Sequence, residues 1–217
     1  MTEVQSMEET RRRMRRIERG RPILNGILPA VVMDDNEKEA LLLVLYDTKI
    51  LNDIIKADAN AYIRKGFHNQ LTINPSTGSI THLKLDRTIA HDMYNFKVPP
   101  SIRLLKNLVG ISLVNCTGLS IELNHLQLLE KIEFTLCEQE LFGTIPNGLR
   151  LPKVKKITMV DFDLGDHYQI FNSFSGVIEE IYLGFSSWNG DFDENPVKCK
   201  RIFDTIKKND GLIRGLI

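Results

Sequence analysis

The chain has 217 residues, of which 42% are hydrophobic and 26% are charged, and its formal net charge is zero. This much apolar material is enough to bury a core, so we expect one globular or solenoid domain. The balanced charge says nothing about the class of partner, and three cysteines are too few for a disulfide framework.

The first 33 residues combine a capping signal with a block of arginines. Ser6 and Glu9 are spaced as a helix capping box. Between Arg11 and Arg21 there are seven arginines and one glutamate. We expect residues 1–33 to be a basic, solvated and mobile segment. The alternative is a site for nucleic acid, acidic lipid or an import receptor, with these candidate basic-patch residues: Arg11, Arg12, Arg13, Arg15 and Arg16.

The apolar stretch from Ile23 to Met33 follows this block. It contains Asn25, Gly26 and Pro29 and is too short to cross a bilayer, so no transmembrane segment is predicted. A basic segment followed by an apolar one is also typical of secretory signals, but no small-residue cleavage site follows. We expect an intracellular protein of the cytoplasm or nucleus, with secretion as the alternative.

Helical signals come next, in residues 34–79. Asp34, Asp35 and Asn36 can cap a helix that begins at Glu37. The apolar residues that follow have helical spacing and predict one or two helices; they are Leu41, Val44, Leu45, Leu51, Ile54 and Ile55.

A repeated motif then organises the chain. The frame L-x-x-L-x-L-x-x-N/C begins at five positions, namely Ile80, Leu108, Leu129, Val154 and Ile178. These starts lie 28, 21, 25 and 24 residues apart. Each copy predicts one short strand laid beside the strand of the next copy. An ordinary α/β domain with apolar strands is the alternative.

The residues between the strands carry a resemblance to a known family. Leu141-x-Gly143-x-Ile145-Pro146-x-x-Leu149 resembles the connecting segment of plant-type leucine-rich repeats, and about residues 37 to 188 fit the pattern. The resemblance implies an α/β solenoid with a short parallel sheet on its concave face. It also implies a helical N-terminal cap at residues 34–79 and about five repeats in residues 80–190.

The cysteines bear on the compartment. The cap of that family usually carries paired cysteines, which this chain lacks, and their absence favours a reducing compartment. Cys116 and Cys137 occupy the same repeat position, so we expect two buried, reduced thiols; a disulfide between neighbouring coils is the alternative. We expect Cys199 to be a lone thiol.

The repeat frame fades after Trp188. Asn195-Pro196 marks a break, and the apolar residues that follow suit a short amphipathic helix. For residues 191–217 we expect a C-terminal helix or an incomplete terminal repeat.

Sequence motifs of catalysis are absent: there is no phosphate loop, nucleophile elbow or metalloprotease helix. The segment from Asp161 to His167 holds metal-ligand residue types, but it departs from calcium-loop spacing and suits a solvated turn. We therefore expect a protein that is not an enzyme and uses no cofactor or metal.

Binding is the remaining function. Side chains alternate across a strand, so the residues between the core positions would face the concave side. The candidate partner-binding residues are His82, Lys84, Asp86, Ser112, Lys131, Glu133, Thr135, Lys156, Thr158 and Tyr182.

The leading hypothesis is a non-enzymatic interaction module that binds a protein or peptide on this face. One alternative is a nuclear or nucleic-acid-associated factor that uses the arginine block. Another is a fragment of a larger receptor-like recognition protein. The sequence does not indicate an oligomeric state.

Overall fold

The computed structural model describes residues 3–27, 33–56, 70–86, 95–137, 145–160, 168–174 and 176–184. Helices lead the chain and strands follow. The α-helices are α1 (Glu3–Ile27), α2 (Asp35–Asp47) and α3 (Ile50–Lys56). The strands are β1 (Leu71–Ile73), β2 (Ile80–Asp86), β3 (Phe96–Lys97), β4 (Gly110–Val114), β5 (Cys116–Gly118), β6 (Lys131–Thr135), β7 (Lys156–Val160) and β8 (Glu180–Gly184). Within the described ranges, 3₁₀ helices cover Pro100–Leu104, Ile121–His125 and Tyr168–Ser173.

The main sheet has six strands in the order β1-β2-β4-β6-β7-β8. Strand β1 is antiparallel to β2, and every other neighbouring pair in this sheet is parallel. Strands β3 and β5 form a separate two-stranded parallel sheet. The chain is therefore a mixed α/β protein with a mostly parallel sheet and few helices, as the sequence predicts at this level of description.

Apolar residues of the repeated motif line one side of the sheet. In the register, Ile111 pairs with Leu83 on one side and with Ile132 on the other, and all three side chains are buried. Phe134 lies between Leu113 and Met159 in the same way. A shift of one residue would turn these side chains outward, so their burial fixes the register.

The connections between strands carry a second apolar line. The 3₁₀ helix Pro100–Leu104 starts with a proline, which needs no hydrogen-bond donor there. The next one starts after Ser120, whose Oγ accepts a hydrogen bond from the backbone of Glu122. The buried residues of these connections face the strands across the core; they are Ile102, Leu105, Leu108, Leu123, Leu126 and Leu129.

Two strands end in the same left-handed bend. Asn115 has φ of 56° and Leu136 has φ of 51°, and these residues occupy equivalent positions after β4 and β6. The backbone nitrogen of Asn115 donates to the carbonyl of Thr135, and that of Leu136 donates to the carbonyl of Val160. After each of these strands the bend turns the backbone away from the sheet. A backbone hydrogen bond still links the bend to the next strand.

Helix α2 is fastened to the sheet by its first turn. The Asp34 carboxylate caps the helix by accepting hydrogen bonds from the backbone of Asn36 and Glu37. The helix begins at Asp35, two residues before the start at Glu37 that the sequence predicts. The Glu37 carboxylate accepts from Asn107 Nδ2 at 2.7 Å and from the backbone nitrogen of Ile80 at 3.4 Å. These bonds join the helix to residues 43 and 70 positions away.

The N-terminal segment differs from the mobile terminus expected for residues 1–33. Its described part forms α1, which packs against α2 and α3. Ile17 and Leu24 are buried there, and Leu51 comes within 2.6 Å of the position that a Cβ on Gly20 would occupy. The expectation is corrected because this segment has a narrow apolar stripe, and the neighbouring helices cover it. The C-terminal helix or repeat expected for residues 191–217 lies outside the described residues.

Candidate functional site

The candidate partner-binding residues lie on the side of the main sheet that faces away from the core. They come from β2, β4, β6, β7 and β8, at the positions that alternate with the buried ones. We call this surface the polar face. It consists of His82, Lys84, Asp86, Ser112, Lys131, Glu133, Thr135, Lys156, Thr158, Val160, Glu180 and Tyr182.

The strand register arranges the polar face in three rows that cross the strands. The middle row runs from Lys84 through Ser112, Glu133 and Thr158 to Tyr182, one residue per strand. The flanking rows begin at His82 and Asp86 on β2 and end at Glu180 and Gly184 on β8. The repeat frame of the sequence predicts these same pairings.

The charges of the polar face are paired with one another. Lys84 Nζ lies 3.1 Å from Asp86 Oδ2, and Lys131 Nζ lies 2.7 Å from Glu133 Oε1. A third pair joins β7 to β8, with 2.8 Å between the ammonium and carboxylate atoms; it is formed by Lys156 and Glu180. Three lysines thus match three carboxylates, so the described part of this surface has no excess of charge.

Glu133 lies at the centre of the face and keeps 30% of its side chain exposed. Partial burial is the largest single influence and raises its pKa, but hydrogen bonds from Lys131 and Ser112 and the charges of Lys131 and Lys84 outweigh it. The pKa of Glu133 is therefore lowered from its ordinary value. The carboxylate stays ionised at neutral pH and links the middle row to its neighbours.

The pair at the other end of the face is open to water. The hydrogen bond from Lys156 to Glu180, followed by the charge of Glu180, raises the pKa of the Lys156 ammonium. Lys156 keeps 52% of its side chain exposed and Glu180 keeps 40%. Solvent screens an exposed pair of this kind, so it adds little to stability and can open for a ligand.

Uncharged side chains lie beside these pairs. Tyr182 is 43% exposed, which is unusual for so large a residue on a strand of this sheet. It pairs in register with Thr158, and Thr135 pairs with Val160 in the next row. This end of the polar face therefore offers one aromatic ring, hydroxyl groups and a small apolar patch.

One candidate residue, Asp86, is less accessible than the sequence suggests, whereas His82 is exposed. Asp86 keeps 9% of its side chain exposed, because it is enclosed beside Lys84 at the end of β2. The His82 ring lies over Gly110, with Cδ2 2.4 Å from the position of a Cβ on that glycine. Glu180 is missing from the candidates predicted from sequence, although the repeat frame gives it the same position on β8 as Lys156 has on β7.

The candidate basic patch belongs to α1 and divides into two parts. Arg13 is half-buried; its Nη2 lies 3.0 Å from Asp47 Oδ1, and its guanidinium carbon lies 5.6 Å from the centre of the Tyr46 ring. Arg21 forms a two-pronged pair with Glu39. These two arginines hold α1 against α2. The other four candidates are exposed, namely Arg11, Arg12, Arg15 and Arg16.

The two cysteines of the repeat are buried free thiols, as the sequence predicts. Burial raises the pKa of Cys116 to about 12 and that of Cys137 to about 11. Cys137 Sγ lies 3.5 Å from the carbonyl oxygen of Leu113, on the neighbouring strand. Neither thiol is activated for nucleophilic chemistry. Cys199 lies outside the described residues.

Among the described residues, no group of three or more His, Cys, Asp or Glu side chains could hold a metal ion. The segment from Asp161 to His167, which the sequence predicts to be a solvated turn, lies outside the described ranges. Within those ranges, no helix has both the length and the apolar character that a membrane span requires.

Comparison with known proteins does not assign the chain to a family. No protein-family model matches it, and no curated protein matches it. The crystal structure of a plant ice-binding protein is similar over 70% of this chain, with 18% sequence identity and a TM-score of 0.40. The similarity covers 56% of that chain, a little more than half of its length. A TM-score this low carries no argument about fold or function.

Proposed function

We propose that the chain is a leucine-rich repeat solenoid of about five repeats, with helices and a short strand closing its N-terminal end. Support comes from the coincidence of motif and strand: the motif copies that begin at Ile80, Leu108, Leu129, Val154 and Ile178 each contain one strand of the main sheet. The second line of buried leucines lies in the connections, where this repeat class also has apolar residues. The polar face is then the concave face of the solenoid.

The function that this surface supports best is binding of a protein or peptide partner without catalysis. The observation that carries it is the exposure of Tyr182 beside a surface whose charges are already paired. An exposed aromatic ring buries much area at low cost in conformational entropy. The paired lysines and carboxylates set which partner charges are tolerated, and they contribute less to affinity.

The size of the face limits the partner. Four steps of about 4.8 Å and a strand width of about 16 Å give roughly 300 Å². A standard interface buries about 800 Å² per partner. The partner therefore presents an extended segment to the strands, or it also touches the connections between them.

The proposed compartment is reducing and intracellular, in the cytoplasm or the nucleus. Two thiols at equivalent positions after β4 and β6 stay free in this structure. The segment that would form the cap, residues 34–79, contains no cysteine. A chain that dispenses with such disulfides suits a compartment where thiols remain reduced.

Site-specific crosslinking tests the proposed face. A photo-reactive phenylalanine analogue replaces Tyr182 in the full chain, and the matched control carries it at His125, whose side chain is 61% exposed on a 3₁₀ helix. We expect crosslinks to a defined protein from position 182 and none to that protein from position 125. Crosslinks from position 125 alone, or from neither position, would contradict binding by the strands.

The identified partner then allows a quantitative comparison. Tyr182→Ala should weaken its binding at least about tenfold, as for a residue that anchors an interface. Glu133→Lys should weaken partner binding as well, because the substitution places a third positive charge beside Lys131 and Lys84. His125→Ala should leave affinity unchanged. Equal thermal unfolding of the three variants is the control for folding.

A further inference from the structure

The outer side of α1 carries five exposed arginines, Arg11, Arg12, Arg15, Arg16 and Arg19. Residues in an α-helix are about 100° apart around the axis, so these five fall within about 140° of one another. The side of the helix that packs on α2 and α3 is centred on Ile17 and Leu24 and points the other way. We call the five exposed arginines the arginine face.

The arginine face is distinct from the arginines that hold the helix in place. Arg13 and Arg21 form ion pairs with Asp47 and Glu39 on α2. Among the described residues, Arg12 has one carboxylate partner, Glu8 at 2.7 Å. Arg11, Arg15, Arg16 and Arg19 have no carboxylate within salt-bridge distance in the part of the chain that the structure describes. Their charge is available to a ligand.

This arrangement does not serve the stability of the helix. Arg11, Arg15 and Arg19 are successive i,i+4 neighbours, and so are Arg12 and Arg16, and like charges at this spacing repel. Among the side chains that the structure describes on α1, three glutamates are exposed, Glu8, Glu9 and Glu18, against the five arginines of this face. A linear polyanion would relieve the repulsion by placing its own charges between the guanidinium groups.

We propose that the arginine face binds the phosphate backbone of nucleic acid without sequence preference. Arg11 to Arg19 spans about 12 Å of helix axis. The same length of a duplex carries about seven phosphates, because one charge occurs per about 1.7 Å. The planar guanidinium group binds phosphate oxygens through two parallel hydrogen bonds, which favours arginine at such sites.

A membrane surface fits the helix less well. A helix that lies in a bilayer interface must insert its apolar side. The apolar side of α1 is already covered, because Ile17 and Leu24 are buried against the neighbouring helices. Among the α1 side chains that the structure describes, those of residues 7–26, Met7 and Met14 are the large apolar ones that remain exposed. The site is also independent of the proposed function, since the polar face belongs to the strands.

Fluorescence anisotropy with the full chain tests the assignment. The probes are a labelled 20-base-pair DNA duplex of arbitrary sequence and a labelled 20-nucleotide single-stranded RNA, titrated from 50 to 200 mM KCl. Neutralising four to five phosphates predicts a slope of log affinity against log salt of about −4 for the duplex. Affinity should then fall by a factor on the order of 10² across this range.

The variant R11Q/R15Q/R19Q removes three charges from the arginine face. It should reduce the salt slope by about three and weaken binding at 50 mM KCl at least about tenfold. The matched control K49Q/K106Q/K153Q removes the same charge from exposed residues elsewhere, and it should bind like the original chain. Circular dichroism and thermal unfolding of both variants check that folding is intact.

Three outcomes would overturn the assignment. One is absence of binding to either probe at 50 mM KCl, and another is an equal loss in the two triple variants. The third is a better ligand of another class. Either the chain binds phosphatidylserine vesicles and neither nucleic-acid probe, or polyglutamate displaces the labelled duplex as well as unlabelled DNA does at equal charge. Tyr182→Ala should leave binding to both probes unchanged. A failure of nucleic-acid binding by the arginine face is therefore distinguishable from a failure of partner binding by the polar face.

Discussion

At Gly176 two stretches of backbone come too close for any side chain. A Cβ at this position would lie 1.9 Å from the carbonyl oxygen of Pro152 and 2.9 Å from its carbonyl carbon. Both atoms belong to the backbone of the connection before β7. Neither can rotate away as the end of a flexible side chain could, so the packing here requires glycine.

Gly176→Ala should therefore destabilise the protein. Forcing a methyl group into a packed site costs about 1–3 kcal/mol, and the backbone contact favours the upper part of this range. Urea unfolding followed by circular dichroism gives the free energy of unfolding. The control is Gly26→Ala, because nothing lies within 4 Å of its Cβ position. Equal stability of the two variants would contradict the close approach at Gly176.

At the scale of single elements, each strand contributes one layer of the core. Leu113 on β4 is fully buried and lies in register between Leu85 and Phe134. Its backbone neighbour Ser112 faces the polar side and contacts Glu133. One strand therefore supplies both the stability of the sheet and part of the candidate site.

Leu113→Ala should lower the free energy of unfolding by about 2–5 kcal/mol, because it removes buried methyl groups and leaves a cavity. Neighbouring strands share this layer, so limited proteolysis should cut β2 and β6 faster as well. Leu128→Ala is the control, since that side chain is 45% exposed in a connection. Unchanged thermal stability of Leu113→Ala would rule out the strand frame.

At the scale of the whole molecule, the helices and the sheet share one core. The buried cluster extends from Ile17 on α1 to Ile181 on β8 without a division between layers. Cys116 and Cys137 belong to this cluster. A reagent therefore reaches them only when the shared core opens.

Thiol labelling measures that opening. In a Cys199→Ser background at pH 8, both thiols should resist an aromatic disulfide reagent without denaturant, because burial keeps their pKa values at about 12 and about 11. Two equivalents should react once urea unfolds the chain. Rapid reaction of two equivalents in the folded protein would contradict the stacked arrangement of Cys116 and Cys137.

Sequence by itself determined the five parallel strands of the main sheet and their register, whereas the antiparallel strand β1 lies in residues 34–79, where the sequence indicated helices. The reason is local: Leu83 and Leu85 in one copy of the motif, and Ile111 and Leu113 in the next, must be buried at the same spacing. All four side chains are buried together when equivalent positions of the motif pair across neighbouring strands. The three rows of the polar face follow from this register, and so does the burial of Cys116 and Cys137.

Only the tertiary structure decided how the charged side chains and the N-terminal helix are placed. The pairing of Arg13 with Asp47 joins residues 34 positions apart, and no periodic pattern indicates it. The enclosure of Asp86 likewise depends on how neighbouring parts of the fold meet. A charged side chain has nearly the same free energy in water as in an exposed ion pair. Its partner is therefore set by the residues that the fold places beside it. For this reason the split of the arginine block into anchoring and exposed residues appears only in the structure.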